Sequence, residues 1–500
     1  MGLLLMRYYA AKSEISTYPV MSPNFSVPYW KPSLCFPIEF KDLEPLKPIY
    51  VTPYVTAGFN QTSELNDAGT NYELNTTPKI DAGLDIKYSF TNNLTTDITI
   101  NTDFVQVEAD NQKINLTRYS LYFPEKRVFF LEKADVFDFS FLDGNKMFYS
   151  RRIGLYQGNP IRIYGGIRET GRIGRWDIGF LDMQTESFEN NPSENFGVLW
   201  VKRNVLNSNS FVGGMFTSRL GMNGEYNIAY GIDGKLRVIG DEYLILKWAQ
   251  TFENDSINSI NDLAYNWSGK RYNPGIGFEV KQNYHGPRII LQYGWMPVDH
   301  HYIRYYKLSL KYVSFYNTPA SLHETSSGQL RWNFEAKKGF SGNIAVNWFL
   351  ENLQNELVFG KANETILPGK YSFKYINAGY YTSGASAFWT GLYTEVGEFF
   401  DGWKASFFCN PEIKIGTSFD LGLTYRYDYI NCKNRDMYFR NHIVGFKELM
   451  TLTTKTSLTA FIQYNTAVEK IISNIRFRYN PREGNDFYFV YDEGFNTILN

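Results

Sequence analysis

Few side chains in this 500-residue sequence have the types and spacing that enzyme chemistry requires. Glu108 and Asp110 are two carboxylates, and such a pair acts as acid and base when its carboxyl groups lie about 5–10 Å apart. The DHH triplet at 299–301 offers metal-ligand types, but it falls in a polar turn. No G-x-S-x-G motif is present, and the glycines of GGIRETGRIG (165–174) precede no helix, so they indicate a hairpin. The sequence therefore assigns no catalytic, metal-binding or cofactor-binding residue.

The composition excludes several classes of protein. Aromatic residues make up 17% of the chain, while the mean hydropathy is -0.35 and the formal net charge is -1. No basic stripe suits nucleic acid, and no run of about 18 apolar residues predicts a transmembrane helix. Cys35, Cys409 and Cys432 form no CxxC pair, so we expect free thiols.

A period of two residues dominates the chain. Between residues 413 and 429, apolar and aromatic residues with one threonine occupy the odd positions, while charged and small polar residues occupy the even positions. Successive side chains of a strand point to opposite faces, so this pattern predicts strands with one apolar and one polar face. The same alternation recurs at 80–90, 94–101, 452–464 and 471–479, whereas 196–205 mixes its faces.

Two architectures bury one face of many such strands. A soluble sandwich or propeller turns its apolar face inward, whereas a transmembrane barrel turns that face to lipid and keeps a polar interior. Strands of about 9–11 residues with aromatic ends and mid-strand charges favour the barrel. We therefore predict an all-β fold, a large antiparallel transmembrane β-barrel of roughly 22–26 strands with an inward-folded, plug-like segment. A large soluble β protein is the alternative.

Two long motifs depart from the period. Residues 101–139 read NTDFVQVEADNQKINLTRYSLYFPEKRVFFLEKADVFDF, and residues 146–154 read KMFYSRRIG. Their order and spacing resemble a family of Bacteroidota outer-membrane proteins with a domain of unknown function. The resemblance runs from about residue 48 to the C-terminus, and it implies a barrel in the outer membrane of a Gram-negative bacterium.

The resemblance also implies a domain organisation. Full-length family members carry an N-terminal sandwich similar to family-nine carbohydrate-binding modules, and they are often labelled membrane-associated hydrolases. We expect residues 1–46 to be a remnant or linker from such a sandwich, and residues 47–500 to form the barrel. No signal peptide is evident at the N-terminus. The last residues, GFNTILN, lack the family's closing strand, so we expect either a fragment, which we favour, or closure by the N-terminal part.

Residues 104–158 are too apolar for disorder and too irregular for barrel strands, so we predict a lumenal plug or constriction. Its charges need partners, and we expect its basic side chains to pair with its own acids and with the wall acids Asp85 and Asp97. Candidate plug or lumenal residues are Asp103, Glu108, Asp110, Arg118, Glu125, Lys126, Arg127, Glu132, Arg151 and Arg152. These residues either hold a plug in register or form a binding or gating surface for a solute.

The sequence predicts a channel, receptor or transport-associated barrel for carbohydrate-linked solutes, with the carbohydrate link implied by the resemblance alone. The alternatives are a membrane-anchored hydrolase acting on carbohydrate, known only from the family label, and a structural or assembly barrel with a sealed lumen. The expected partners are the lipid bilayer, a carbohydrate or other small solute, and other outer-membrane proteins. We expect no nucleic acid, metal or cofactor.

Overall fold

The structure of the chain is a computed structural model. It describes residues 2–9, 14–20, 34–40, 47–65, 72–102, 110–141, 144–156, 158–207, 209–239, 242–253, 256–262, 265–269, 272–297, 300–317, 321–359, 365–383, 386–432, 435–482 and 484–497. The chain divides into two compact units. One unit contains residues 45–107 and 119–284, and the other contains residues 1–44, 108–118 and 285–500.

Short strands precede the main sheet. β1 (Gly2–Leu3) pairs with β4 (Phe36–Pro37), and β2 (Leu5–Tyr9) pairs with β3 (Glu14–Tyr18). Their origin in a sandwich domain stays a prediction.

The unit that contains residues 45–107 and 119–284 is called the β5–β17 unit. Its strands are β5 (Ile49–Leu65), β6 (Tyr72–Thr91), β7 (Leu94–Ile100), β8 (Leu155–Tyr156), β9 (Asn159–Pro160), β10 (Ile163–Ile173), β11 (Trp176–Thr185), β12 (Glu194–Asn204), β13 (Phe211–Gly221), β14 (Tyr226–Ile239), β15 (Glu242–Glu253), β16 (Ser256–Asp262) and β17 (Tyr265–Ser268). Helix α1 (Val128–Leu131) and two 3-10 turns (Ala134–Phe137 and Ser150–Arg152) lie between β7 and β10. No described helix is long and apolar enough to cross a bilayer.

The rest of the chain supplies β18 (Tyr284–Trp295) and the strands of the β19–β33 unit. These are β19 (Ile303–Asn317), β20 (His323–Ala336), β21 (Ser341–Leu353), β22 (Leu357–Val358), β23 (Thr365–Ile366), β24 (Gly369–Tyr381), β25 (Phe388–Trp389), β26 (Gly391–Phe399), β27 (Gly402–Cys409), β28 (Glu412–Ile415), β29 (Phe419–Cys432), β30 (Met437–Thr453), β31 (Thr456–Asn465), β32 (Lys470–Arg482) and β33 (Asn485–Asn496).

The strand order confirms the predicted fold class. Within the described residues, β10 to β21, β24 to β33 and β5 to β7 follow one another in the order of one closed barrel. These 25 strands fall inside the predicted range. The order closes, so the open edge expected from the C-terminal sequence is not present, and the backbone groups of the end strands have neighbours.

The outer face of the strands is apolar, as the alternation predicts. On β20, Leu330 and Trp332 are exposed, while Gln329 and Arg331 lie on the opposite, inner face. The outward residues pair with outward neighbours, since Leu330 stands opposite Leu310 on β19. An exposed apolar band of this kind suits contact with lipid tails.

Aromatic rings gather at the ends of β18, β19 and β20. The ring of Trp295 lies 5.6 Å from that of Tyr293 and 5.5 Å from that of Tyr306. Tyr306 stacks on Trp332 at 5.8 Å, and Trp332 contacts Phe334 at 5.3 Å. Such rings are typical of a membrane interface, where one edge is apolar and the other is wet.

The inner face of the β5–β17 unit is not polar throughout, which corrects the simple alternation model. Part of it joins the segment 104–158 in one buried cluster, with side chains such as Leu181, Phe196 and Val198 on the wall and Phe130 and Phe139 on the segment. Strand β12 therefore has apolar side chains on both faces, and this explains why residues 196–205 mix their pattern. An inner wall covered by protein needs no water-facing side chains.

The β19–β33 unit buries a second apolar cluster. It contains Leu116 from the segment 104–158, Ile366 from β23, and Phe373, Ile430 and Phe439 from longer strands. Away from this cluster the inner face of the unit is polar, since Arg426 and Asp428 of β29 pair at 2.6 Å. The even positions of β29 thus face inward, as the sequence predicts.

The outward assignment of β29 gives a direct test. We expect Leu423→Lys to destabilise the barrel in a bilayer by about 2 kcal/mol or more, because the exposed Leu423 is near mid-strand and a cation facing lipid is costly. Unfolding in lipid vesicles measures this free energy. Thr424→Lys is the matched control on the inner face, and equal losses for the two variants would overturn the assignment.

Candidate functional site

Glu125 and Arg127 form a two-pronged ion pair within the segment 104–158, called the inner segment from here on. Arg127 Nε lies 2.9 Å from Glu125 Oε1, and Arg127 Nη2 lies 2.7 Å from Glu125 Oε2. The backbone N–H of Arg127 donates to the same carboxylate at 2.9 Å, so the chain turns tightly here. Both side chains are largely buried, and each neutralises a charge that would be costly alone.

This ion pair joins the two sequence motifs. The Ser150 hydroxyl donates to Glu125 Oε2 at 2.6 Å, and Arg127 donates to the carbonyls of Ser150 and Ile153 at 2.7 Å each. The guanidinium also lies 4.2 Å from the centre of the Phe130 ring. FPEKR and SRRIG are therefore two halves of one cluster, held by the donors of a single arginine.

The surroundings of Glu125 favour its charged form. Burial by itself would raise the pKa of this carboxyl group. The hydrogen bonds and the charge of Arg127, together with the Ser150 hydroxyl, outweigh burial and hold the pKa below its usual range. Glu125 therefore acts as a permanent anion at neutral pH.

Arg168 on β10 links the wall to the inner segment. Its Nε and Nη2 lie 3.1 and 2.7 Å from Asp97 Oδ2 on β7. Its Nη1 donates to the backbone carbonyls of Phe129 and, at 2.9 Å, Glu132. The side chain is only 3% exposed, so these partners replace all the water that it would otherwise bind. Arg168 thereby holds the C-terminal end of α1 against the wall.

Strand register builds this wall site. Arg168 stands directly opposite Asp97, and Asp97 stands opposite Lys87 on β6. Lys87 in turn pairs with the Glu132 carboxylate. Three strands and the inner segment thus share one network of alternating charge, which sequence reasoning missed because no sequence spacing signals Arg168.

The short stretch before this region is anchored to the β19–β33 unit. Arg118 places Nη1 2.9 Å from Glu324 Oε1 and Nη2 2.9 Å from Glu351 Oε1. The backbone N–H of Gln112 donates to the Gln463 side chain at 2.6 Å. This stretch therefore combines polar contacts with apolar packing, because Leu116 and Ile114 join the apolar cluster of the same unit.

A second stretch, residues 272–283 between β17 and β18, packs on the inner segment. The buried Asn145 side chain accepts from Val280 N–H at 2.6 Å and donates to the Lys281 carbonyl at 3.1 Å. The backbones of Lys146 and Phe278 bond to each other in both directions. The packing of this stretch on the inner segment was not predicted, because its composition is that of an ordinary polar loop with a few apolar residues.

The arginines of SRRIG bind carbonyl oxygens. Arg151 Nη1 donates to the Pro124 carbonyl at 3.0 Å, and Arg152 Nε donates to the Gly277 carbonyl at 3.1 Å. For Arg152 this contact differs from the expected pairing with a carboxylate. Both arginines fasten neighbouring chain segments, one in FPEKR and the other in 272–283.

The two wall acids have partners other than the expected ones. Asp97 binds Arg168 and Lys87 instead of a basic residue of the inner segment, and Asp85 accepts from the Thr99 hydroxyl at 2.6 Å. Lys126 is half-buried and donates its backbone N–H to Glu125 at 3.0 Å.

Asp110 is half-buried in the inner segment, whereas Asp103 and Glu108 lie outside the described residues. The spacing between the Glu108 and Asp110 carboxyl groups, which sequence reasoning left open, therefore stays unmeasured.

A row of alternating charge crosses the inner wall of the β5–β17 unit. Each position stands directly opposite the next on the neighbouring strand. In order from β10 to β15, the row contains Arg172, Asp177, Lys202, Gly213, Asp233 and Lys247. Arg172 lies 2.5 Å from Asp177, and Lys247 donates to the Ser140 carbonyl of the inner segment at 2.7 Å. The row is another contact between wall and inner segment.

A cavity of about 590 Å³ remains between the inner segment and the end of this wall. The Ala134–Phe137 turn lines it through Asp135 and Val136, and the wall lines it through Gly171, Trp200 and Lys202. The inner segment therefore does not fill all the space beside the wall.

The metal-ligand types of the DHH triplet form no centre. His300 Nδ1 accepts the backbone N–H of Ile303 at 2.9 Å, which is a turn-stabilising contact, and Asp299 lies outside the described residues. Among the described residues, no three His, Cys, Asp or Glu side chains gather closely enough to hold a metal ion.

Comparisons with known proteins found one matching family model and several similar solved structures. A family model described as a domain of unknown function (DUF5916) matches residues 46–165, which include the inner segment. A copper transporter, OprC, is similar over 87% of this chain and 72% of its own, at 8% identity and a TM-score of 0.41. The ferric-catecholate import receptor Fiu from E. coli K12 is similar over 87% and 68%, at 7% identity and a TM-score of 0.30. No curated protein sequence matches the chain.

The lowered pKa of Glu125 predicts acid release of the FPEKR–SRRIG cluster. Because the folded-state pKa is below the unfolded value of about 4.3, the stabilisation is present above that value and is lost as pH falls through the folded pKa. We expect the opening of residues 122–131, measured by hydrogen exchange relative to the intrinsic rate, to rise below about pH 4. Glu125→Gln should exchange faster at neutral pH and lack the acid step, and a step of unchanged size in this variant would contradict the assignment.

Glu279 in the stretch 272–283 predicts the opposite dependence. Burial raises the pKa of its carboxyl group to about 7, with the Glu253 charge acting in the same direction and Arg152 opposing it. Stability from the protonated form is therefore present at low pH and is lost as pH rises through about 7. After correction for the intrinsic exchange rate, opening of residues 276–283 should increase between about pH 4 and 7, and Glu279→Gln should abolish the increase. The same rise in Glu279→Gln would show that another group titrates.

Proposed function

We propose that this chain is an outer-membrane transport barrel, a channel or receptor, in which the inner segment controls the passage of a solute. The observation that carries the proposal is the attachment of the segment to the inner wall through Arg168 and Arg118. Buried arginines at these points hold chain that strand pairing does not hold. A segment attached in this way has a closed position and a physical means of leaving it.

Two features support control by movement of the segment. Ion pairs and carbonyl contacts exchange readily for water, so their loss costs less than the loss of an apolar core. Arg118 attaches its stretch through such contacts beside the small apolar contribution of Leu116, and the cavity beside Asp135 and Val136 leaves space next to the segment. A sealed structural barrel does not require polar attachment of the segment beside a cavity.

Among the described residues, Glu324 and Glu351 are two carboxylates that meet at one side chain, so they bear on the hydrolase alternative. Each lies 2.9 Å from a nitrogen of Arg118, and both are ion-pair partners of this one guanidinium. Both carboxylates are thus occupied in attaching the inner segment, and this favours an attachment role over acid–base catalysis. The resemblance adds carbohydrate-linked solutes as the first class to test, with outer-membrane proteins as further partners.

A reversible lock tests the proposal. A Cβ atom added at Gly179 of β11 would lie 2.7 Å from Val136 Cγ1 of the inner segment, so cysteines at these two positions are close enough for a disulfide. The variant Val136→Cys, Gly179→Cys is made with Cys35, Cys409 and Cys432 replaced by alanine. Conductance of single molecules in a planar bilayer is then compared before and after reduction.

We expect silence in the oxidised state and ohmic steps after reduction, because only the reduced segment is free to leave the wall. The single variant Val136→Cys is the matched control, and it should not respond to reductant. Equal conductance of the oxidised and reduced protein would exclude the inner segment as the gate. Silence in both states would favour the sealed barrel.

A further inference from the structure

The inner face of the β19–β33 unit carries hydrogen-bonding groups that no described residue uses. Arg331 on β20, Ala345 on β21 and Asn377 on β24 stand opposite one another in a single row. The side chain of Ala345 is only a methyl group. The middle of the row is therefore lower than its two ends, where the Arg331 guanidinium and the Asn377 amide stand. A concave polar surface of this kind suits a small solute.

A chain of hydrogen-bonded side-chain amides ends in this row, and its last N–H donor has no acceptor. Gln329 donates to Asn347 Oδ1 at 2.7 Å, and Asn347 donates to Asn377 Oδ1 at 2.6 Å. The Asn377 side chain is 2% exposed, and its Nδ2 has no partner within the described part of the chain. A buried donor without an acceptor costs about 1–3 kcal/mol, so a missing partner is expected there.

Charged groups lie on both sides of Asn377. On β26, Glu395 stands directly opposite Asn377, and it is already bound by Lys404 at 2.6 Å and by the Tyr393 hydroxyl at 2.7 Å. On the other side, neither Arg331 nor Lys311 has an ion pair with a described residue, and the buried Nε of Arg331 has no acceptor. The charges of Arg331 and Lys311 are close enough to repel each other.

We propose that Lys311, Arg331, Asn343 and Asn377 form an anion station, a site that binds the carboxylate or phosphate group of a solute in the lumen. Arg331 and Lys311 supply the charge, and Asn377 Nδ2 supplies a third donor to the oxyanion. The buried Oδ1 of Asn343, which also has no partner among the described residues, accepts a hydroxyl group beside the anion. The inference rests on the proposed function, since it takes the lumen as the path of the solute.

Water and an oxyanion are the two candidate partners of the station. A buried water satisfies an amide such as that of Asn377. Arg331 is half-buried and Lys311 is exposed, so water can also solvate their charges, whereas an oxyanion satisfies the Asn377 donor and offsets both charges at once. Rings of arginine and lysine are the usual means by which pores select anions and phosphates.

Equilibrium binding to the intact, detergent-refolded chain tests the station. Inorganic phosphate and succinate are titrated separately up to about 10 mM and followed by calorimetry, and their comparison tells which oxyanion is preferred. Arg331→Gln removes the charge. Asn377→Asp keeps the acceptor for Asn347 and replaces the donor with a negative group, so it tests the site even where Arg331→Gln folds poorly. Arg304→Gln is the matched control, because Arg304 is already paired with Glu335 at 2.9 Å.

We expect saturable binding of at least one probe, weakened about ten-fold or more by Arg331→Gln and by Asn377→Asp and unchanged by Arg304→Gln. Absence of binding by both probes, or equal binding by native and Asn377→Asp protein, would overturn the station. The measurement needs no open pore. A chain that gates under reduction but binds neither probe therefore refutes the station alone, and a chain that binds without gating refutes only the gate.

Discussion

A buried guanidinium has five N–H groups and a charge, and the structure around the inner segment depends on satisfying both. Arg127 meets the need inside the segment, through Glu125 and two carbonyls. Arg168 meets it between wall and segment, through Asp97 and the carbonyls of Phe129 and Glu132. Removing one acceptor would leave a buried cation unpaired, so each arginine fixes the position of every chain that supplies it.

The two units solve the problem of an inner face differently. In the β5–β17 unit, part of the wall is apolar because the inner segment covers it with side chains such as Phe130 and Phe139. In the β19–β33 unit, large parts of the wall keep amides and charges such as Asn347 and Arg331. The polarity of each inner wall thus matches what lies against it. The apolar wall is covered by protein, and the polar wall suits water or solute.

Alternation was enough to predict the barrel and which side chains of β29 face outward, because successive side chains of a strand always point to opposite faces. The charges of residues 123–132 were recognisable, since four ionic side chains among aromatics need buried partners. The partners were not recognisable. Arg168 meets Asp97 only through strand register, and Asn145 meets Val280 across more than a hundred residues. Register and long-range docking are set by the whole sheet, and a local pattern does not contain them.

The row of alternating charge from Arg172 to Lys247 bears on how the barrel assembles. Most strands here share the same two-residue pattern, so hydrophobicity alone distinguishes neighbouring alignments poorly. If β12 moved by two residues along β11, Asp177 would face Asn204 or Trp200 in place of Lys202, and the ionic match would be lost. The row therefore favours the correct register of adjacent strands during insertion. This preference requires only the wall strands, so it does not depend on the inner segment being in place.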